Sequence, residues 1–195
     1  MPLQIHHAEA RGILSVTCGF IAEAGFTHSL SPARNCTFGC TYCYVPTMRI
    51  YGGLKPADWQ HWGSFTTFKT NAPELLDKSL RADQTIYCSP LVDPYQPAEA
   101  EEGLMPCVLD AVIARPPRVF VIQTRGPLIL RDIDKLHALS RRTQLRVSHK
   151  RQYSEWHEPE FQTAVLERMR KHALSAGRRF GTGPGAFSWL AEVNG

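Results

Sequence analysis

The sequence contains no long apolar run. None of its hydrophobic stretches approaches the ~20 residues that a helix needs to cross a bilayer, so we expect no membrane span. The first ten residues, Met1 to Ala10, are polar and include histidine, unlike a secretory signal peptide. Internal repeats and low-complexity tracts are also lacking. These absences favour a folded protein of the reducing cytoplasm over a membrane, secreted or repeat protein.

The sequence has little excess of charge. Its 22 basic and 18 acidic residues give a net charge of +4. A value this small indicates an ordinary solvated surface more than a nucleic-acid interface. The chain has 195 residues, of which 43% are hydrophobic, and this is enough for one domain with a real core.

Three of the six cysteines lie within eight residues, at Cys36, Cys40 and Cys43. A loop this short can direct all three sulfurs toward one point, and Gly39 allows the backbone to turn tightly there. Three thiolates can hold three irons of a [4Fe–4S] cluster and leave the fourth iron open to a small molecule. A zinc ion with a borrowed ligand such as His28, or three unligated thiols, are the alternatives. The other three cysteines are isolated and are expected to be small buried hydrophobes: Cys18, Cys88 and Cys107.

The pattern of apolar residues predicts alternating strands and helices. Strands are expected at 26–32, 85–88, 119–122 and 145–148. Helices are expected from an Asn71 cap onward, at 103–114, around 133–139 and at 158–176. The run 119–122 is apolar without alternation, as in a parallel strand covered on both faces. This order predicts an α/β fold with a parallel sheet and a site beyond the carboxyl ends of its strands.

The composition divides the chain into three segments. Residues 1–25 have weak periodicity and are predicted to be an N-terminal extension. Residues 26–148 carry the strand–helix alternation and form the predicted core. Residues 149–195 are a divergent helical and irregular tail, with no strand pattern in the glycine-rich stretch 181–195.

The cysteine spacing C-x3-C-x2-C, with Tyr42 before the last cysteine, resembles the signature of the radical S-adenosylmethionine superfamily. Further stretches are similar to its spore photoproduct lyase-like branch. These are 28–32 (HSLSP), 69–76 (KTNAPELL), 92–97 (VDPYQP) and 123–132 (QTRGPLILRD). The joint resemblance covers residues 12–148 and is more specific than the cysteines alone.

The resemblance implies a partial (β/α) barrel of parallel strands, with four of the family's six strands and thus truncated on its C-terminal side. It implies that Cys36, Cys40 and Cys43 bind a [4Fe–4S] cluster whose open iron holds S-adenosyl-L-methionine. Tyr42 would lie near the adenine. Further cofactor contacts are expected at strand ends: Ser89, Thr124, Arg125 and Ser148. Ser89 and Thr124 could instead satisfy backbone groups, and Arg125 could pair with Asp93 in a structural salt bridge.

The resemblance further implies an enzyme that reductively cleaves S-adenosylmethionine to a 5′-deoxyadenosyl radical, which then abstracts hydrogen from a substrate. A flavodoxin- or ferredoxin-type protein would donate the electron, and nucleic acid is one candidate substrate because the branch includes DNA photoproduct repair. No catalytic residue beyond the cofactor-binding set can be assigned. The alternative is a non-catalytic metal-binding remnant with an incomplete barrel.

Overall fold

The computed structural model describes residues 3–47, 61–149, 159–175 and 177. They form an α/β fold with two mixed sheets. The strands are β1 (Gln4–Ala8), β2 (Leu14–Val16), β3 (His28–Leu30), β4 (Ala33–Arg34), β5 (Phe65–Lys69), β6 (Thr85–Cys88), β7 (Val119–Thr124) and β8 (Gln144–His149). The α-helices are α1 (Gly19–Glu23), α2 (Ala72–Ser79), α3 (Glu99–Glu102), α4 (Leu104–Ala114), α5 (Ile133–Ser140) and α6 (Pro159–Ser175).

The larger sheet has five strands in the order β2-β3-β6-β7-β8. β3, β6, β7 and β8 run parallel to one another, and β2 pairs antiparallel with β3 at one edge. The four parallel strands are those that the apolar pattern predicts, with β3 shorter than the predicted stretch. The predicted α/β class with parallel strands is therefore confirmed. Within the described residues the sheet does not close into a barrel, and β8 is its second edge.

Both faces of β7 are covered, as its unbroken apolar run predicts. Phe120 and Ile122 belong to the main core, and neither exposes any surface. Val119 and Val121 face the other way and pack with Phe26 in a second, smaller cluster. Burial on both sides leaves no polar face, which is why the sequence of this strand does not alternate.

The predicted helices α2, α4, α5 and α6 are present. α4 packs against both α2 and α5, which places these three helices in one layer. Leu76, Val108 and Leu139 are fully buried in the main core, one from each helix. No helix in the described ranges has the length and hydrophobicity needed to cross a membrane.

The smaller sheet, in the order β1-β5-β4, is not anticipated by the sequence. β5 alternates, with Thr66 and Phe68 buried and its other residues half-buried. The buried threonine obscures the apolar half of the pattern, so only the fold reveals the strand. Within the predicted extension 1–25, β1 pairs with β5 and β2 pairs with β3. Main-chain pairing in a sheet needs no apolar periodicity, which explains why this segment looked unstructured.

The structure describes only part of the predicted tail. The predicted helix 158–176 is present as α6, and Met169 on it is buried against the core. Residues 150–158, 176 and 178–195 lie outside the described residues, as does most of the irregular connection predicted between Val45 and Ser64.

The predicted helix cap at Asn71 is wrong. Asn71 precedes α2, but its side chain makes no capping hydrogen bond. Its Oδ1 accepts a hydrogen bond from the Ala10 backbone N–H, and its Nδ2 donates one to the Ala10 carbonyl, each at 2.9 Å. The Asn71 amide therefore bonds both the N–H and the carbonyl of Ala10, and so connects the segment after β1 to the start of α2.

We expect Asn71→Asp to reveal this tether. A cap accepts aspartate as readily as asparagine, but aspartate cannot donate to the Ala10 carbonyl. The substitution should lower the free energy of unfolding by about 1–2 kcal/mol, because a part-buried hydrogen bond is lost. Chemical denaturation measures the change, with the exposed Glu74→Ala as control. If the free energy of unfolding changed by only a few tenths of a kcal/mol, the result would favour the capping role instead.

Candidate metal and cofactor site

The candidate site lies at the carboxyl ends of the parallel strands. The cysteine loop, residues 36–43, follows β3 and the short β4. Ser89 follows β6, Thr124 ends β7, and Ser148 is the second-last residue of β8. Because these parallel strands end on the same side of the sheet, the chain segments that carry the predicted site residues leave it in one direction.

Cys36 is the most enclosed of the three clustered cysteines. Its side chain is buried, and its sulfur accepts hydrogen bonds from the backbone N–H groups of Phe38 and Asp93. Burial, followed by the nearby Asp93 carboxylate, raises the pKa of the Cys36 thiol to about 12, although the two N–H groups act in the opposite direction. The sulfur thus has donors that suit a thiolate, while no cation of the described residues compensates its burial.

Cys40 and Cys43 complete the loop. Cys40 lies close enough to both other cysteines for its charge to raise their pKa values. Burial is the larger cause of the raised pKa of Cys43, whose sulfur accepts a hydrogen bond from the Val45 backbone N–H. Across the described ranges, no three His, Cys, Asp or Glu side chains are close enough together to hold a metal ion. The three thiols therefore lie in one region, and thiols are the ligands that an iron–sulfur cluster takes. Their sulfurs are not, however, arranged close enough together to bind a metal ion as they stand.

The zinc alternative finds no support in the position of His28. Its ring Nδ1 lies 2.9 Å from the hydroxyl of the adjacent Thr27. The same lack of a three-ligand group in the described part of the chain applies to a site that would include His28.

Gly39 turns the cysteine loop as its sequence position predicts. Its φ is 58°, in the left-handed region that glycine adopts without strain. It also packs directly on Gly63, where a Cβ atom would lie 2.5 Å from the Gly39 Cα. The backbones of Gly39 and Gly63 therefore pack so closely that Gly63 has no room for a side chain.

Asp93 binds the end of β7. Its Oδ1 accepts hydrogen bonds from the Thr124 hydroxyl at 2.6 Å and the Tyr95 backbone N–H at 2.9 Å. Its Oδ2 accepts one from the Arg125 backbone N–H at 2.7 Å. Burial raises the pKa of Asp93 in spite of these donors. The alternative of a salt bridge between Arg125 and Asp93 is not found among the ion pairs of the described residues, and the hydrogen bond to this carboxylate comes from the Arg125 main chain instead.

Gln96 binds the cysteine loop from the same segment. Its Oε1 accepts hydrogen bonds from the Thr37 backbone N–H at 2.8 Å and the Thr37 hydroxyl at 3.1 Å. Residues 93–97 therefore contact the cysteine loop on one side and the end of β7 on the other. We call this segment the DPYQP loop.

Arg125 and Tyr42 meet across the site. The Arg125 guanidinium carbon lies 5.6 Å from the centre of the Tyr42 ring, within range of a cation–π interaction. Tyr42 is 47% exposed, so one face of this pair is open to solvent. Partial burial is the main cause of the raised pKa of its hydroxyl, and the Arg125 charge opposes it. An exposed aromatic ring beside a cation can receive a planar, electron-rich group.

The remaining predicted contacts differ in their surroundings. The Thr124 hydroxyl donates to Asp93 and accepts from the Gly126 N–H at 2.8 Å, which is the backbone-satisfying role considered for it. Ser89 is buried, and among the described residues its hydroxyl has no hydrogen-bond partner. Ser148 is half-buried and lies opposite Gln123. Of these three, Ser89 has the unsatisfied polar atom that a ligand could pair with.

Sequence reasoning missed the roles of Gln96, Glu99 and Arg131. Glu99 has no exposed surface, and its Oε1 lies 2.9 Å from the Arg131 guanidinium. Arg131 also pairs with Asp132 at 2.9 Å. The QTRGPLILRD stretch, which contains Arg131, therefore binds the helix that follows the DPYQP loop. The two motifs were recognised as a set, but only the fold shows that they contact each other.

Comparison with known proteins finds mycobacterial relatives. The chain is 28% identical over 116 residues to an uncharacterized protein of Mycobacterium bovis, and equally to uncharacterized proteins of two Mycobacterium tuberculosis strains. The match covers 57% of this chain and 33% of each relative, so it spans about a third of their length. No family model matches the chain. No solved structure matches it either.

We expect Gly126→Ala to disrupt the DPYQP loop. A Cβ atom at this position would lie 2.2 Å from the Tyr95 carbonyl oxygen, and backbone cannot yield as a flexible side chain can. The free energy of unfolding should fall by about 1–3 kcal/mol or more. Thermal and urea unfolding measure this.

Gly12→Ala is the matched control, because a Cβ atom there has no neighbour within 4 Å. Equal stability of the two variants would contradict the close packing of Gly126 on Tyr95.

Proposed function

We propose that this chain is an iron–sulfur protein of the radical S-adenosylmethionine type, similar to the spore photoproduct lyase-like branch. The observation that carries the proposal is the place of the cysteine loop, which follows the parallel strand β3 and the short β4, is bonded to Gln96, and lies beside the Tyr42–Arg125 pair. Phe38 and Asp93 donate to Cys36, and Val45 donates to Cys43. Hydrogen bonds of this kind stabilise thiolates and tune iron–sulfur clusters.

Each residue of the site has a role under this proposal. Cys36, Cys40 and Cys43 would hold the [4Fe–4S] cluster. Tyr42, stacked under the Arg125 guanidinium, would receive the adenine of S-adenosyl-L-methionine, and the Ser89 hydroxyl would give its hydrogen bond to the cofactor. When bound, the cluster and S-adenosylmethionine would supply a 5′-deoxyadenosyl radical for hydrogen abstraction. The DPYQP loop would hold the cysteine loop against the sheet, and burial of Cys36 would exclude water from that side.

Wider features of the proposal follow the resemblance. The parallel strands β3, β6, β7 and β8 would be one side of a partial (β/α) barrel. A flavodoxin- or ferredoxin-type protein of the cytoplasm would supply the electron. Nucleic acid is one candidate substrate, and a lyase or repair reaction is the corresponding activity. The whole protein's activity is part of the proposal, since the chain spans a third of its relatives' length.

A non-catalytic metal-binding remnant is the second candidate. It is favoured by the absence of a preformed three-ligand group in the described ranges and by a five-stranded sheet that stays open there. Metal binding often orders its own ligands, so the first observation also agrees with a loop that tightens on the cluster. Turnover, not metal content, distinguishes the two candidates.

Anaerobic reconstitution tests the cluster. The full chain should take up about four irons and four sulfides and turn brown. Cys40→Ala should retain less than about a quarter of that iron, because two thiolates remain to hold the cluster. Cys18→Ala is the control, because Cys18 lies outside the loop and is exposed; the expectation of a buried side chain is wrong for Cys18 and Cys107 and is confirmed for Cys88. Stoichiometric zinc without sulfide, or iron content unaffected by Cys40→Ala, would contradict the assignment.

Cofactor binding gives a separate prediction. S-adenosylmethionine should change the electron paramagnetic resonance spectrum of the reduced cluster, since it would ligate the open iron. Tyr42→Ala should raise the concentration needed for that change about tenfold, as expected for the loss of an aromatic contact worth about 1 kcal/mol or more, and should leave iron content unchanged.

The exposed aromatic variant Phe20→Ala, in α1, is the control and should behave as the unmodified chain. A spectrum that does not respond to saturating S-adenosylmethionine would sink the radical assignment. If the spectrum responds but 5′-deoxyadenosine does not form under reducing conditions, the remnant is the correct candidate.

A further inference from the structure

Gln96 is a fully buried polar side chain whose hydrogen bonds go chiefly to one residue of the cysteine loop. It exposes none of its surface. Its Oε1 accepts from both the backbone N–H and the hydroxyl of Thr37, the residue directly after Cys36. Its Nε2 lies 3.5 Å from the Asn35 carbonyl oxygen, on the other side of Cys36. One amide group therefore holds both neighbours of this cysteine.

The contact is reciprocal. The Thr37 hydroxyl donates to Gln96 and also accepts from the Ala98 backbone N–H at 3.2 Å. Thr37 thus ties the cysteine loop to the residues just beyond the DPYQP loop, 61 positions along the chain. Because these groups are buried or part-buried, losing one partner leaves the others without water or protein to bond.

Local and distant contacts together hold Cys36 in this place, and the local one to its sulfur comes from the Phe38 N–H. Within the loop itself, Cys36 O accepts a long hydrogen bond from the Gly39 N–H at 3.5 Å. Further contacts come from the DPYQP loop, whose Asp93 N–H donates to the Cys36 sulfur and whose Gln96 bonds the residues on either side of Cys36. The position of the Cys36 sulfur therefore depends in part on a segment distant in sequence.

We propose that Gln96 is a positioning residue that fixes the cysteine loop on the DPYQP loop and so keeps the Cys36 sulfur buried at the end of the sheet. We do not assign Gln96 as a metal ligand, because its Oε1 already accepts two hydrogen bonds from Thr37. A role of Gln96 in a metal site rests on the function proposed above. Its role in positioning Cys36 does not depend on that function.

Cysteine alkylation in the metal-free full chain tests this directly. Rates are followed peptide by peptide by mass spectrometry, for the unmodified chain and for Gln96→Met. Methionine keeps the volume of glutamine but cannot accept the two Thr37 hydrogen bonds. Cys36 should react roughly tenfold faster in the variant. The lost hydrogen bonds lower the free energy of local opening, and the thiol reacts from the opened state.

Two controls separate local positioning from general loosening. Cys88, buried in the same core at the end of β6, should keep its slow rate. Gln84→Met is the matched variant, because Gln84 is also buried and bonds the Arg81 N–H at 2.9 Å and the Ser79 carbonyl at 3.2 Å. It should leave the Cys36 rate unchanged.

Thr37→Val is the milder second variant. It removes the hydroxyl but keeps the backbone N–H bond to Gln96, so Cys36 should react about two- to fourfold faster, as expected from losing part of the same hydrogen-bonding set. Equal acceleration of Cys36 and Cys88 in Gln96→Met, or no acceleration of Cys36, would overturn the proposal.

Cluster retention adds a readout specific to the metal site. After reconstitution, a chelator should remove iron several-fold faster from Gln96→Met than from Gln84→Met, because a less constrained ligand dissociates more often. Equal removal rates would overturn the role in the metal site. A chain that binds no iron at all, yet shows the Cys36 acceleration, would refute the proposed function and uphold the positioning role.

Discussion

The buried carboxylate of Asp93 joins the parts of the candidate site. It accepts hydrogen bonds from Thr124, from the Arg125 backbone and from Tyr95, while the Asp93 N–H donates to Cys36. A carboxylate in an apolar interior is costly unless its oxygens are paired. Here both oxygens have donors, so the end of β7 and the DPYQP loop must stay together for the charge to remain buried.

A second buried acid supports the same region. Glu99 pairs with Arg131 and also accepts hydrogen bonds from the Leu104 and Met105 backbone N–H groups, at 3.2 and 2.8 Å. Burial raises the pKa of Glu99, against the effect of Arg131. Breaking such a pair leaves an uncompensated charge and commonly costs about 3–5 kcal/mol. The helices after the DPYQP loop are thereby fixed to the segment after β7.

The sequence predicted well what local pattern controls. The strands β6 and β7 follow from their apolar runs and the helices α2 and α4 from their apolar periodicity, because those residues are buried. It failed at β5, where a buried threonine replaces an apolar residue, and at Asn71, whose amide bonds a segment 61 positions away. Local propensity cannot report a partner that only the tertiary fold brings near.

The candidate site shows the same division. The spacing of the three cysteines predicts them as candidate ligands, and the DPYQP stretch is picked out by its resemblance to a known branch. The contacts between them depend on side-chain hydrogen bonds across the sheet end, for which the sequence carries no periodic signal. Asp93 could be read as a turn former and Thr124 as a backbone partner, and the structure gives each residue that role together with a longer-range one.

The distance along the chain between Cys36 and the groups that enclose it affects how the protein is made. The DPYQP loop and Arg125 are synthesised well after the cysteine loop. At the usual rate of 5–20 residues per second, the lag from Cys36 to Arg125 is roughly 5 to 20 seconds. During that interval the three thiols lie on an unenclosed nascent chain, open to metal ions and to oxidants. The order of synthesis thus gives the cysteines a period of free access before the surrounding protein closes over Cys36.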